Sequence, residues 1–155
     1  MRSFHRSGIK KAVSGKKSRK IEILNESGKK LLGKDDGIYV TIHVGEIWNR
    51  ELNYIEKCCK VILEQLKSMI CIDNKRFLLV GLGNDKILCD SIGPRVIDKI
   101  LVTHHIKDID KSLYENLLLS DVMAITPGVL ADTGIESFEL INAIVSLEKP
   151  DCVIL

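Results

Sequence analysis

The chain has 155 residues, 28% charged and 45% hydrophobic, a length for one domain of ordinary size and a composition that excludes a disordered chain. No 18 apolar residues run together and no apolar block follows the basic N-terminus, so neither a membrane span nor a secretory signal is expected, and the default compartment is cytoplasmic. The net charge of +2 hides a split: residues 1–20 carry eight basic groups and no acid, against 15 basic and 21 acidic groups in residues 21–155.

Residues 1–19 therefore read as a basic arm. Such an arm can bind nucleic acid or an anionic surface, and its Ser-rich, acid-free composition also suits a transit peptide. With no aromatic interleaving and no folded motif, the simpler reading is a solvated, disordered terminus. Five cysteines lie at 58, 59, 71, 89 and 152 with no CxxC pair, which favours reduced thiols over a disulfide framework or a structural zinc site.

Beyond the arm, Lys20 to Leu24 alternates like a strand, Asn25 offers an N-cap for a short helix, and Gly33 can stop that helix in a left-handed conformation. Gly37 to Val44, rich in β-branched and aromatic residues, predicts a second strand that forms a small antiparallel flank with the first. From Arg50 to Met69 the positions Leu52, Ile55, Cys59, Ile62, Leu66 and Met69 recur at steps of three and four, which predicts an amphipathic helix. The rest alternates: strand 76–80, helix 91–102, strand 122–125, helix 135–147 and strand 152–155. That βαβαβ order implies an α/β fold with a parallel or mixed sheet in three layers, helices covering both faces.

In such a sheet, sites gather at the carboxyl ends of strands. The first candidate loop, Gly81-Leu-Gly83-Asn84 running on to Asp90-Ser-Ile-Gly93-Pro94, has two glycines leaving a strand and a carboxylate just before a helix. It is not a nucleotide fingerprint, because Lys86 stands where GxGxxG needs its third glycine. Asp90 either caps the coming helix or, with Ser91 as the cap, points into the crevice. Cys89 is an alternative nucleophile without an identifiable histidine partner. In the second loop, Pro127, Gly128 and Gly134 suggest tight turns, Thr133 or Asp132 could cap the next helix, and Glu136 favours its positive end. His43, His104 and His105 lack the spacing of a metal site, and no cofactor is expected.

Taken together, Gly81-Leu-Gly-Asn84, Asp90-Ser-Ile-Gly-Pro94, Leu101-Val-Thr-His104, Thr126-Pro-Gly-Val129 and Thr133-Gly-Ile-Glu136 resemble the germination protease family of endospore-forming bacteria. The likeness extends upstream through Asn25-Glu-Ser-Gly-Lys and Gly33-Lys-Asp-Asp-Gly-Ile-Tyr-Val-Thr41, and downstream through Lys149-Pro-Asp-Cys-Val-Ile154, covering about residues 20–155. A more distant similarity exists to hydrogenase-maturation endopeptidases, whose phosphorylase/hydrolase-like fold is implied here and which place a nickel-binding acid at the position of Asp90.

The resemblance implies an endopeptidase that degrades small acid-soluble spore proteins in the germinating spore core, made as a zymogen and assembled as a homotetramer, with no membrane partner. It implies that Asp90 is one of two catalytic aspartates, flanked by active-site loop residues Gly83, Asn84, Gly93, Pro94, Pro127, Gly128, Gly134 and Glu136. The second aspartate is implied to follow directly after the strand 152–155, so that residues 1–155 would form the amino-terminal part of such an enzyme. Two alternatives stay open: a non-catalytic binding protein using the basic arm, and a nickel-dependent maturation-like peptidase.

Overall fold

A computed structural model describes residues 3–6, 9–14, 18–44, 53–70 and 75–155. The chain divides into two compact units, residues 1–71 and 72–155.

The first unit is built on an antiparallel sheet of order β1-β2-β3-β4, comprising β1 (Ser3–Arg6), β2 (Ile9–Ser14), β3 (Ser18–Ile23) and β4 (Gly37–Ile42). The expected antiparallel flank is β3 with β4, where Ile21 pairs with Tyr39. Much of the segment expected as a disordered arm is instead paired backbone, with Lys10 opposite Glu22 and Val13 opposite Arg19. Basic charge constrains side chains and leaves backbone amide groups free to pair.

Helix α1 (Glu26–Leu32) starts and stops where its sequence dictates. The Asn25 carboxamide oxygen accepts from the Gly28 N–H at 3.1 Å, and Gly33 closes the helix at φ 62° while donating its N–H to Lys29 O. The Lys29 ammonium then ties the helix to the following turn, 3.1 Å from Glu26 and 2.9 Å from Asp36. Hydrogen bonding to Asp36, then to Glu26, pushes the Lys29 pKa up; the same bond from Lys29 holds the Asp36 carboxyl below its usual range.

Helix α2 (Tyr54–Met69) forms as its periodicity predicts, but the stripe does not face its sheet. Cys58 and Val61 lie with Ile42 and His43 of the β4 end, whereas Ile55, Ile62, Leu66 and Met69 are exposed. Leu52 lies outside the described residues.

The second unit carries a parallel sheet of order β6-β5-β7, made of β5 (Arg76–Val80), β6 (Asp121–Ile125) and β7 (Cys152–Ile154). Its core is Leu78, Val80 and Met123, against which Ile141, Ile144 and Val145 of α7 (Ser137–Glu148) pack. The three strands appear within a residue of their expected bounds, because continuous apolar runs leave little choice of register.

The connections differ more. The expected helix 91–102 is a 3₁₀ turn, Leu88–Asp90, followed by the short α3 (Ile92–Ile97). The stretch after it forms α4 (His104–Ile109) and α5 (Lys111–Asn116), and α6 (Leu130–Thr133) precedes α7. Among the described residues Cys58, Cys59, Cys89 and Cys152 are free thiols, and no helix is long and apolar enough to cross a membrane.

Candidate active site

Gly81 and Gly93 let two chain segments interleave directly beyond β5. Gly81 N–H still donates to Ile125 O at 2.9 Å, extending the sheet by one rung. A Cβ on Gly81 would stand 2.5 Å from Gly93 O, and one on Gly93 only 2.1 Å from Leu82 O, so each backbone occupies the other's side-chain space. Gly83 adds a positive φ of 130° and a Cβ position 2.1 Å from Asp90 O. Pro94, buried in the first turn of α3, needs no N–H partner there.

This crossing fixes Asp90. The Asn84 N–H is shared between Asp90 Oδ2 at 2.9 Å and Asp90 O at 3.1 Å, while the Asn84 side chain accepts from Lys86 N–H at 3.0 Å. The loop is further closed by Ile87 N–H to Asn84 O and by Asp90 N–H to Ile87 O. Asp90 is exposed, with Oδ2 held by an amide and Oδ1 beside the bare Gly83 α-carbon. It does not cap α3. Ser91 does not either: it occupies the N-cap position, but its buried hydroxyl donates to Leu88 O at 3.0 Å.

The second loop leaves β6 through buried Pro127 and through Gly128 at φ 76°. Ser137 donates its hydroxyl to Gly128 O at 3.2 Å, pinning the start of α7 to this loop. Gly134, at φ 70°, ends α6 and donates to Leu130 O. Neither Thr133 nor Asp132 caps α7. Thr133 Oγ1 instead bonds Val129 O, Ile135 O and Ile135 N–H, and Glu136 occupies the N-cap position without a side-chain bond. The two loops are joined by the Lys86 ammonium and the Asp132 carboxylate at 3.1 Å, a contact across 46 positions that local spacing does not announce.

A second polar cluster lies at the opposite, amino end of the sheet. The buried Asp121 carboxylate receives His104 Nδ1 at 2.7 Å and Arg76 Nε at 3.3 Å, with Lys107 Nζ at 3.8 Å. Arg76 also donates to Glu148 O at 2.6 Å, and its backbone N–H to Asp151 Oδ2 at 2.8 Å. Thr103 locks α4 to β6: its N–H donates to Val122 O, and its hydroxyl accepts from the Val122 N–H while donating to Ser120 O. His104 is thus a structural hydrogen-bonding residue. Among the described residues no three His, Cys, Asp or Glu side chains are grouped to hold a metal ion.

A family model described as germination protease (Peptidase_A25) matches residues 7–155, beginning well before the stretch that the sequence motifs cover. The chain is 38% identical over 136 residues to the germination protease of Clostridium tetani, an overlap of 86% of this chain and 42% of the relative. It is 37% identical over 141 residues to that of Caldanaerobacter subterraneus subsp. tengcongensis, covering 90% and 43%. With the germination protease of Priestia megaterium it shares 32% identity over 148 residues, 93% and 40%. The chain therefore spans about two fifths of the length of these relatives.

Proposed function

Because this chain belongs to the germination protease family, we propose that it contributes the Asp90 half of an endopeptidase site that hydrolyses small acid-soluble spore proteins during germination. The observation that carries the reading is the glycine crossing beyond β5, which presents the Asp90 carboxylate to solvent with Oδ2 held by the Asn84 N–H. One carboxylate oxygen is thereby oriented and the other left to accept a proton from an attacking water. A protonated second carboxylate then donates to the leaving amine, and mutual repulsion keeps the two pKa values apart. That partner is the aspartate the family resemblance implies just after β7.

Gly83, Asn84, Gly93 and Pro94 shape the first loop, and Pro127, Gly128, Gly134 and Glu136 the second, as the walls between which a peptide lies. The parallel sheet is read as the centre of a three-layer fold like that of hydrogenase-maturation endopeptidases. Zymogen processing, tetramer assembly and residence in the spore core belong to the same proposal.

The test joins residues 1–155 to the part of the Clostridium tetani relative that follows its matched region, and incubates the product with a small acid-soluble spore protein. Cleavage by the chimera, absent from residues 1–155 alone and abolished by Asp90→Asn, is expected. Cleavage that survives Asp90→Asn removes Asp90 from the chemistry. Strong Asp90-dependent cleavage by residues 1–155 alone refutes the two-carboxylate scheme.

A further inference from the structure

At the amino end of the parallel sheet, remote along the strands from Asp90, the second unit contains a cleft of about 850 Å³. Lys75, Arg76, Lys107 and Lys149 line it, with Asp121 and Asp151 as the acids. The acids are already engaged: Asp121 by Arg76, His104 and Lys107, Asp151 by the Arg76 N–H. Lys75 and Lys149 have no ion-pair partner among the described residues, and Lys107 stands too far from Asp121, at 3.8 Å, for a hydrogen bond. Two unpaired ammonium groups and the loosely paired Lys107 thus face a ligand on a wall where four basic residues stand against two acids, of which Asp121 is neutralised internally.

The chemistry of these groups selects the ligand. Arg76 has the planar fork that recognises a single carboxylate, but that fork is directed to Asp121 Oδ2 and Glu148 O. What remains are ammonium point charges on flexible stems, which reward dense negative charge over planar geometry. We infer that this cleft binds a small oligophosphate anion through Lys75, Lys107 and Lys149, at a site separate from the Asp90 loops. The source is either free oligophosphate or the phosphate chain of a nucleotide.

Calorimetric titration of the 155-residue chain with sodium tripolyphosphate and, separately, with adenosine triphosphate tests this. Saturable binding is expected, weakening as salt is raised, and the tighter of the two ligands identifies the source. The double variant Lys75→Gln, Lys149→Gln should lose affinity by about tenfold or more, since two charge-assisted contacts are removed. The matching Lys→Arg pair should retain it, and Lys30→Gln in the first unit should change nothing. Inorganic phosphate binding as tightly as tripolyphosphate overturns the dense-charge basis. Undiminished binding in the Lys→Gln pair assigns the anion to the eight basic groups of residues 1–20 and overturns the site, as does the absence of binding.

Discussion

Three glycines of the second unit separate two physical costs when each is replaced by alanine. Gly134 has φ 70° and nothing within 4 Å of a new Cβ, so its alanine pays conformational strain alone, about 1–2 kcal/mol. Gly93 lies outside the left-handed region, but its Cβ would sit 2.1 Å from Leu82 O and 2.7 Å from Leu82 N. Both are backbone atoms, and no rotamer change relieves them. Overpacking ordinarily costs about 1–3 kcal/mol, and a backbone collision belongs at or above the top of that range, so about 3 kcal/mol or more is expected. Gly83 combines a φ of 130° with a Cβ 2.1 Å from Asp90 O, and its alanine should be the worst of the three. Urea unfolding followed by circular dichroism reads the costs: with a slope of about 1 kcal/mol per molar, Gly93→Ala lowers the midpoint by about 3 M or leaves the unit unfolded. Amide exchange at Leu78 and Leu79 assigns the loss to the β5 unit. If Gly93→Ala costs no more than Gly134→Ala, the segments do not interleave as described and the placement of Asp90 falls with them.

Removing the shared carboxylate at the amino end by Asp121→Ala takes the buried counter-charge from Arg76 and His104, leaving Arg76 its bond to Glu148 O. Because Arg76 is partly solvated, about 2 kcal/mol of destabilisation is expected in the same urea assay, less than for a fully buried pair; a change below about 0.5 kcal/mol would show that the cluster is only a surface arrangement. In the first unit the folded-state pKa of Asp36 is depressed by Lys29. The contribution of this pair is therefore fully present above the ordinary Asp value of about 3.9 and lost as pH falls through the lower folded value. Carboxyl NMR should find the Asp36 midpoint below the ordinary range in the wild type and raised toward it in Lys29→Met, a backbone hydrogen bond still holding it down in part; an identical midpoint in both proteins refutes the assignment.

Where one short stretch of chain carries all the information, the sequence was sufficient. Asn25 and Gly33 bound α1 because the groups that start and stop a helix lie within a few residues of it. The runs 77–80 and 152–154 declare strands because an unbroken apolar tetrad or triad beside turn residues has few other uses. Linked motifs likewise identified the family. Three features escaped: the pairing of β1 and β2, the outward face of α2, and the cap assignments at Ser91, Thr133 and Asp132. Net charge is silent about backbone pairing. Helical periodicity defines a face but not which side of it finds a neighbour, so Cys58 and Val61 meet the end of β4 while Ile62 and Leu66 stay exposed. A hydroxyl near a helix start has several acceptors in reach, and loop geometry chooses among them, as Ser91 shows by bonding Leu88 O.

The sequence by itself determined α1, α2, the three parallel strands, α7, the family and the candidacy of Asp90, since each rests on residue type and short spacing. Only the tertiary structure decided what those residues touch. Glycines twelve positions apart, Gly81 and Gly93, share one space; Lys86 reaches Asp132 across 46 positions; and Arg76 of β5 gathers with His104 and Lys107 of α4 on Asp121 of β6. Such contacts are set by the crossing of chain segments in a parallel sheet, where every strand's neighbour is distant in sequence, and no local pattern encodes that distance.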